Sequence, residues 1–343
     1  MPDHIHTRVQ KAATPGDLAR NLILENISIA AFQEDAGDFI ARQWFPTIGE
    51  PEQAFTYYTI DMASIGQNKA QPRAPGTKAE EGGWNASSTP AKTQQFGYRE
   101  KLTEEMIATS AIDAEEVATK SVAEVMAISD EVRVASIAWK TGVWGRDVTG
   151  VASAPSGVQA IYWNASTGVP ISNVLAEHPI GKLASRRKYN TLILGADVVA
   201  PLLTNAQVLA RVVNGQRPGM SAQATLDDIA NLFKVDRVLV AGAVYNTANE
   251  TTTNAGTAQV NTPAFIMSSK SAWLGYVNPS PSKLQTTAGL RFTWQGLTGN
   301  SEGFRNWRYW DQDIRSFWIE GAVDDTFQIV SPKCGVFFSG IVQ

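Results

Sequence analysis

Few residues in this chain could do chemistry, and their spacing serves it poorly. Of three histidines, His4 and His6 form a His-x-His pair in a polar tail, which binds metal weakly and without specificity. That leaves His178, and its position before Pro179 reads as a loop. The neighbouring carboxylates Glu104-Glu105, Asp227-Asp228 and Asp324-Asp325 could offer an acid and a base. Sequence neighbours point apart, and these pairs read as helix starts or turns. The single cysteine, Cys334, has no partner for an internal disulfide. Gly181-Lys182 lacks the upstream glycine and the following Ser/Thr of a phosphate cradle, and no GxGxxG, GxSxG or HExxH occurs. The expectation is a protein that is not an enzyme, with no catalytic residue, no cofactor and no metal.

Two charged patches need weighing. Lys182, Arg186, Arg187 and Lys188 place four positive charges within seven residues. They read equally well as a subunit contact or as a solvated loop. Nucleic acid ranks third, because Lys+Arg total 29 against 33 Asp+Glu, a net charge of −4. Arg305, Trp307, Arg308, Tyr309 and Trp310 interleave cations with aromatics, as a single-strand stacking platform would. Asp311 and Asp313 follow and would repel phosphate. A strand against protein, its arginines paired to those acids, is the better reading.

The elements that must position these residues come from a chain of 343 residues, 43% hydrophobic and 18% charged. That is enough core for about two domains. Residues 1 to 16 show no targeting signal, and no run approaches the roughly 18 apolar residues of a membrane span. The chain reads as soluble and made in a reducing cytoplasm. A helix is predicted over Thr14 to Asp35, then an apolar cluster at Ile40, Trp44 and Phe45, then a strand over Phe55 to Met62. Gly66 to Gln95 holds Pro, Gly and polar residues with little to build a core. With strands on both flanks, the second over Gln94 to Leu102, this unit reads as an extended two-stranded arm. A lone ribbon is marginal in water and needs something to lie on.

The strongest helix is predicted over Ala114 to Lys140, capped by Asp113 and roughly 40 Å long. Its apolar stripe runs through Ala114, Val117, Ser121, Val125, Ile128, Val132, Ala135 and Trp139. Strands and helices then alternate: a strand at Thr191 to Leu194, a helix over Val198 to Val213 interrupted by Pro201, a helix over Gln223 to Phe233, and a strand at Arg237 to Val240. Short strands follow at Ala264 to Met267 and Trp273 to Val277. Asn246 to Thr262 reads as a surface loop. The tail, from Ile314 to Val342, reads as strands returning to the first core.

This order of parts resembles the major capsid proteins of tailed bacteriophages. The resemblance rests on Trp44-Phe45-Pro46, the loop with Arg73-Ala74-Pro75-Gly76, the returning Phe96-Gly97-Tyr98, the single long helix, and the strings Asn190 to Asp197 and Val238 to Tyr245. It implies an α+β chain of the Hong Kong phage-type capsid fold, shared with encapsulins and herpesvirus shells. Residues 1–65 would be the N-terminal arm and first peripheral strand, and 66–104 the extended loop over a neighbouring subunit. Residues 105–171 would be the peripheral domain with its spine helix, 172–310 the α/β axial domain, and 311–343 strands returning to the peripheral domain. The subunit would self-assemble, as hexameric and pentameric capsomers, into an icosahedral shell around phage double-stranded DNA.

The resemblance also implies partners and places. Scaffolding, portal and cement proteins would join the shell, packaged DNA would be touched only non-specifically, and no membrane would be involved. Assembly in the bacterial host's cytoplasm would yield a virion. Arg73, Lys78, Trp84, Lys182, Arg186, Arg187 and Lys188 are the expected subunit contacts, with Trp84 as an aromatic anchor for the loop. Some relatives cross-link a loop lysine to an asparagine; Lys69 and Lys78 have no matching asparagine and acid here. The alternative is an encapsulin-type compartment for protein cargo. The opposing class, a monomeric carbohydrate-active enzyme using the late aromatics, lacks an acid/base pair.

Overall fold

The computed structural model describes residues 39–60, 86–109, 113–213, 224–247, 262–283, 285–298 and 302–343, with residues 68, 70, 72–79, 81 and 83 between the first two stretches. The predicted helix Thr14 to Asp35, Lys69, Trp84 and most of the loop before Thr262 lie outside the described residues.

The described residues begin with helix α1 (Ala41–Trp44) and strands β1 (Thr47–Glu50), β2 (Ala54–Ile60), β3 (Ala86–Lys92) and β4 (Gln94–Thr103). Helices α2 (Glu104–Thr109) and α3 (Ala114–Ala138) precede β5 (Arg146–Val151) and β6 (Gln159–Ile161). Then come α4 (Pro170–Ser185), β7 (Thr191–Gly195), α5 (Ala196–Thr204), α6 (Ala206–Val213), α7 (Leu226–Phe233) and β8 (Arg237–Ala241). Strands β9 (Val244–Asn246), β10 (Pro263–Phe265), β11 (Ala272–Gly275) and β12 (Gly289–Trp294) follow. Helix α8 (Gln295–Thr298) leads to β13 (Phe304–Asp311), β14 (Ser316–Ile329) and β15 (Gly335–Ser339).

Two units divide these elements. Gly97–Met126 and Phe304–Ala322 form the smaller. In it β14 pairs with β13 and β4. Leu102, Ala118, Val122 and Ile319 make its core. Asp113 Oδ1 accepts the backbone N–H groups of Glu115 and Glu116 at 3.0 and 3.2 Å, so the predicted cap of α3 is in place. Arg308 turns to Glu115 at 2.5 Å and lies 4.0 Å over the Phe317 ring, instead of pairing with Asp311 or Asp313.

The larger unit is built on a six-stranded sheet of order β6-β5-β15-β11-β7-β8. Every residue of β7 is buried, as expected of a strand covered on both faces. On one side lies a core with Trp163, Leu192, Leu194, Phe233 and Phe338. Another core gathers Trp44, Trp139, Trp144 and Trp273. Trp44 lies 5.0 Å from Trp273 and 5.9 Å from Trp144, so the apolar cluster after the arm joins the densest aromatic packing of the unit. The tail divides. In this unit β14 pairs with β12, which pairs with β1, whereas β15 enters the six-stranded sheet between β5 and β11. Residues 311–343 therefore do not return together to one sheet.

Four expectations are corrected. The partner of β2 is β3, in register from Ala54↔Lys92 to Ile60↔Ala86, while residues 94–103 join β14. The ribbon lies on Phe292: Phe55 is 4.6 Å and Tyr57 5.7 Å from that ring, with Leu290 and Val330 beside them. The buried positions of α3 are shifted by one residue from the predicted stripe. Ala118, Val122 and Met126 are buried in the smaller unit, and Ala127, Asp130, Glu131, Val134 and Ala138 in the larger. Val117 and Val132 are exposed, and Val125 is half-buried.

Pro201 lies inside α5, and the break to α6 falls at Asn205, whose Oδ1 accepts the Gln207 N–H at 2.8 Å. His178 lies inside α4 along with Pro179, not in a loop.

Candidate functional site

The residues expected at subunit contacts occupy two places. Arg73 and Lys78 are exposed between β2 and β3. Arg73 Nη1 donates to the Thr77 carbonyl at 3.1 Å and Thr77 Oγ1 to the Ala74 carbonyl at 2.7 Å, so this turn is closed by its own bonds. Gly76 takes φ +85°, the left-handed conformation that the turn requires and glycine adopts without cost.

Lys182, Arg186, Arg187 and Lys188 are all exposed and meet at the C-terminal end of α4. Lys182 stands in the last turn, where positive charge suits the helix dipole. Arg186 takes a left-handed φ of 57° and donates its N–H to the Lys182 carbonyl at 2.9 Å. The Arg187 guanidinium lies 5.7 Å from the centre of the Tyr276 ring. The fold adds Lys234, which ends α7, and brings the backbone of Lys333 near, its carbonyl 3.5 Å from the Tyr189 hydroxyl. His178 senses the cluster. Burial first, then the fields of Lys188 and Lys234, hold its imidazole below the ordinary value, against a 2.7 Å contact of Nε2 with the Phe233 carbonyl. Leu183 projects among these cations, 85% exposed. Sequence spacing found four of the cations. Lys234 and Lys333 are brought in by tertiary structure and carry no local signal.

The buried ionisable groups are engaged elsewhere in the larger unit. Arg291 Nε is 2.5 Å from Asp325 Oδ2, and both side chains are fully buried. Arg133 donates to the same carboxylate at 2.5 Å and also to Asp130, which pairs with Arg42 at 3.1 Å. Burial opposes ionisation of Asp325, but Arg291 and then Arg133 hold its carboxyl below the usual range. Asp324 and Asp325 are thus buried inside β14, not in a turn. Glu131 Oε1 accepts the Ala41 N–H at 2.5 Å. Burial pushes that carboxyl up to about 7, with the N–H groups of Ala41 and Ile40 opposing and Asp130 adding to the rise. Glu177 pairs with Arg146 at 2.8 Å. These groups hold the larger unit together.

A cavity of about 510 Å³ is bordered by Trp163, Asn164, Ser166, Pro201, Thr204 and Asn205, with alanines completing it. No ionisable side chain lines it. Among the described residues no group of three or more His, Cys, Asp or Glu is placed to hold a metal, and no helix is long and apolar enough to cross a membrane.

No protein-family model and no curated protein matches the sequence. Solved structures do match. A phage-related protein from Bordetella bronchiseptica superposes with a TM-score of 0.68 at 18% identity, over 94% of this chain and 97% of that one. The virus-like particle from Pyrococcus furiosus gives 0.54 at 9% identity, over 92% and 98%. The capsid of a native GTA particle gives 0.52 at 10% identity, over 88% and 89%. At such identities the likeness concerns the backbone. This chain is α+β and has the Hong Kong phage-type capsid fold.

Proposed function

We propose that the chain is a bacteriophage major capsid protein whose copies self-assemble into an icosahedral shell around double-stranded DNA. The observation that carries this reading is the backbone likeness over 94% of the chain to a phage-related protein, joined by a capsid and a virus-like particle. The β2–β3 ribbon supports it. Phe55 and Tyr57 fasten it, and Arg73 and Lys78 stand beyond in a stretch that is exposed where described. In this reading the stretch between β2 and β3 lies over a neighbouring subunit, with Trp84 as the anchor, and α3 is the spine of the peripheral domain, residues 105–171. Residues 172–310 supply the axial body, to which β15 adds a strand, and residues 1–65 form the arm. The protein acts by assembly and not by catalysis. It is built into virions in the host cytoplasm, with scaffolding, portal and cement proteins as further partners.

The higher TM-score for the phage-related protein, 0.68 against 0.54 for the virus-like particle, favours a phage shell over an encapsulin-type compartment. Electron microscopy and light scattering on the protein, expressed alone and with a scaffold, test the reading. Closed particles that acquire nuclease-resistant DNA when packaging partners are supplied are the expected result. Particles that load protein and never DNA select the compartment instead. A stable monomer under every assembly condition overturns both.

A further inference from the structure

The α/β body of the larger unit is electrically polar along its strands. β7 and β8 run parallel, in register from Thr191↔Arg237 to Gly195↔Ala241. The segments that lead into them, 182–190 and 234–236, therefore share one end. Lys182, Arg186, Arg187, Lys188 and Lys234 lie in those segments with the exposed Leu183 and the acid Asp236, and Lys188 and Lys234 both act on His178. Asp197, just after β7, marks the opposite end, where its Oδ2 accepts the Ser269 hydroxyl at 2.5 Å. Helix α7 runs back along β8, and its eight residues set its start about 12 Å from Lys234. That start carries Asp227 and Asp228 next to a partly exposed leucine, Leu226. Lys270, following Ser269, is a cation on that side. Each end thus pairs an exposed leucine with charge, and the two signs are opposite.

We infer that the cationic end of one copy docks on the acidic end of the next, with Leu183 and Leu226 supplying apolar contact. The inference rests on the shell reading above. Two copies meeting through the same cationic patch would set like charges against each other. A head-to-tail contact matches them, and repeated with a fixed rotation it closes a ring. The occupant is a second copy and not a nucleic-acid backbone, because phosphates neutralise cations but gain nothing by covering a leucine that is 85% exposed. Charge complementarity of this kind sets orientation and partner choice, so the contact weakens as salt rises.

The test uses the full chain under conditions in which the wild type assembles. Lys182→Glu combined with Lys188→Glu is expected to lower the assembled fraction about tenfold at low salt, the scale of losing one well-placed charge contact. Circular dichroism and melting should stay as in the wild type. Asp227→Lys alone is expected to do the same, and it spares Asp228, which closes the capping box with Thr225. Combining all three substitutions in one chain should assemble better than either parent, because the introduced carboxylates and the introduced ammonium attract each other across the contact. A double variant that assembles like the wild type overturns the contact, and so does a triple variant no better than its parents. Normal assembly with loss of duplex DNA retention reassigns the patch to nucleic acid. A wild type that never assembles overturns the shell reading together with this contact.

Discussion

Arg291 and Lys182 mark two opposite uses of positive charge in the larger unit. Around the buried Arg291 and the half-buried Arg133 and Arg42, each cation meets a carboxylate: Arg291 and Arg133 on Asp325, Arg133 and Arg42 on Asp130. Around Lys182 the cations stand in solvent and crowd one another, with Asp236 as an acid at hand. The first set is matched to carboxylates of the same chain. The second gathers exposed positive charge, which costs little in water and attracts an oppositely charged surface. Buried charge therefore reports on how the subunit holds together, and crowded exposed charge on what it meets.

The comparison is broken most directly at Asp325. Asp325→Asn leaves Arg291 and Arg133 buried against a neutral group and should cost about 3–5 kcal/mol in chemical denaturation. A loss under about 1 kcal/mol would mean that water reaches the network. A smaller effect is expected from Glu131, and it depends on pH. Its carboxyl rises from an ordinary 4.5 to about 7 in the folded protein, so the folded state holds the proton more tightly. The stability it contributes is complete below about 4.5 and is lost as pH rises through 7, by roughly 3 kcal/mol. Asp325 has the opposite sign, because its lowered pKa gives stability that disappears as pH falls. Melting temperatures between pH 2 and 8 should show Glu131→Gln flattening the neutral limb while the acid limb persists. A profile that keeps the wild-type shape would remove Glu131 from the account.

Arg308 and Glu115 sit between these extremes, with side chains 33% and 30% exposed. Arg308→Gln should cost about 1 kcal/mol, a partly screened pair and its stacking on Phe317. The smallest effect on folding belongs to Lys182→Glu with Lys188→Glu, within about 0.5 kcal/mol of wild type. If that variant melted far below the wild type, the exposed cations would be internal supports after all, and the contrast with Arg291 would collapse.

The buried network also explains where sequence reading failed. Helix α3 and its Asp113 cap are written in residue type and spacing, so its place in the chain is legible. Its phase is not, because Asp130 and Glu131 face inward and any stripe that sends polar residues to solvent is rotated away from them. Asp325 is hidden for the same reason: its partners, Arg133 and Arg291, are remote in sequence. Strand β3 reads Ala-Ser-Ser-Thr-Pro-Ala-Lys, with little β-branched or aromatic content. Its pairing is dictated by β2, which carries the rings. The cations at Lys182 to Lys188 are legible as a local run, whereas Lys234 joins them only through the parallel pairing of β7 and β8. Helix α4 continues through His178-Pro179, where a proline reads as a stop.

The insertion of β15 between β5 and β11 sets a schedule for the newborn chain. As the ribosome makes β5, β7, β8 and β11, the place flanked by β5 and β11 stays empty, because the strand that fills it comes after all of them. Trp144 and Trp273, which press on Gly335 at the start of that strand, have no floor until then. The nascent chain is thus held back from its final shape until β15 has been synthesised. Non-local pairing of this kind is slow, and it leaves the sheet's inner edges open while synthesis proceeds.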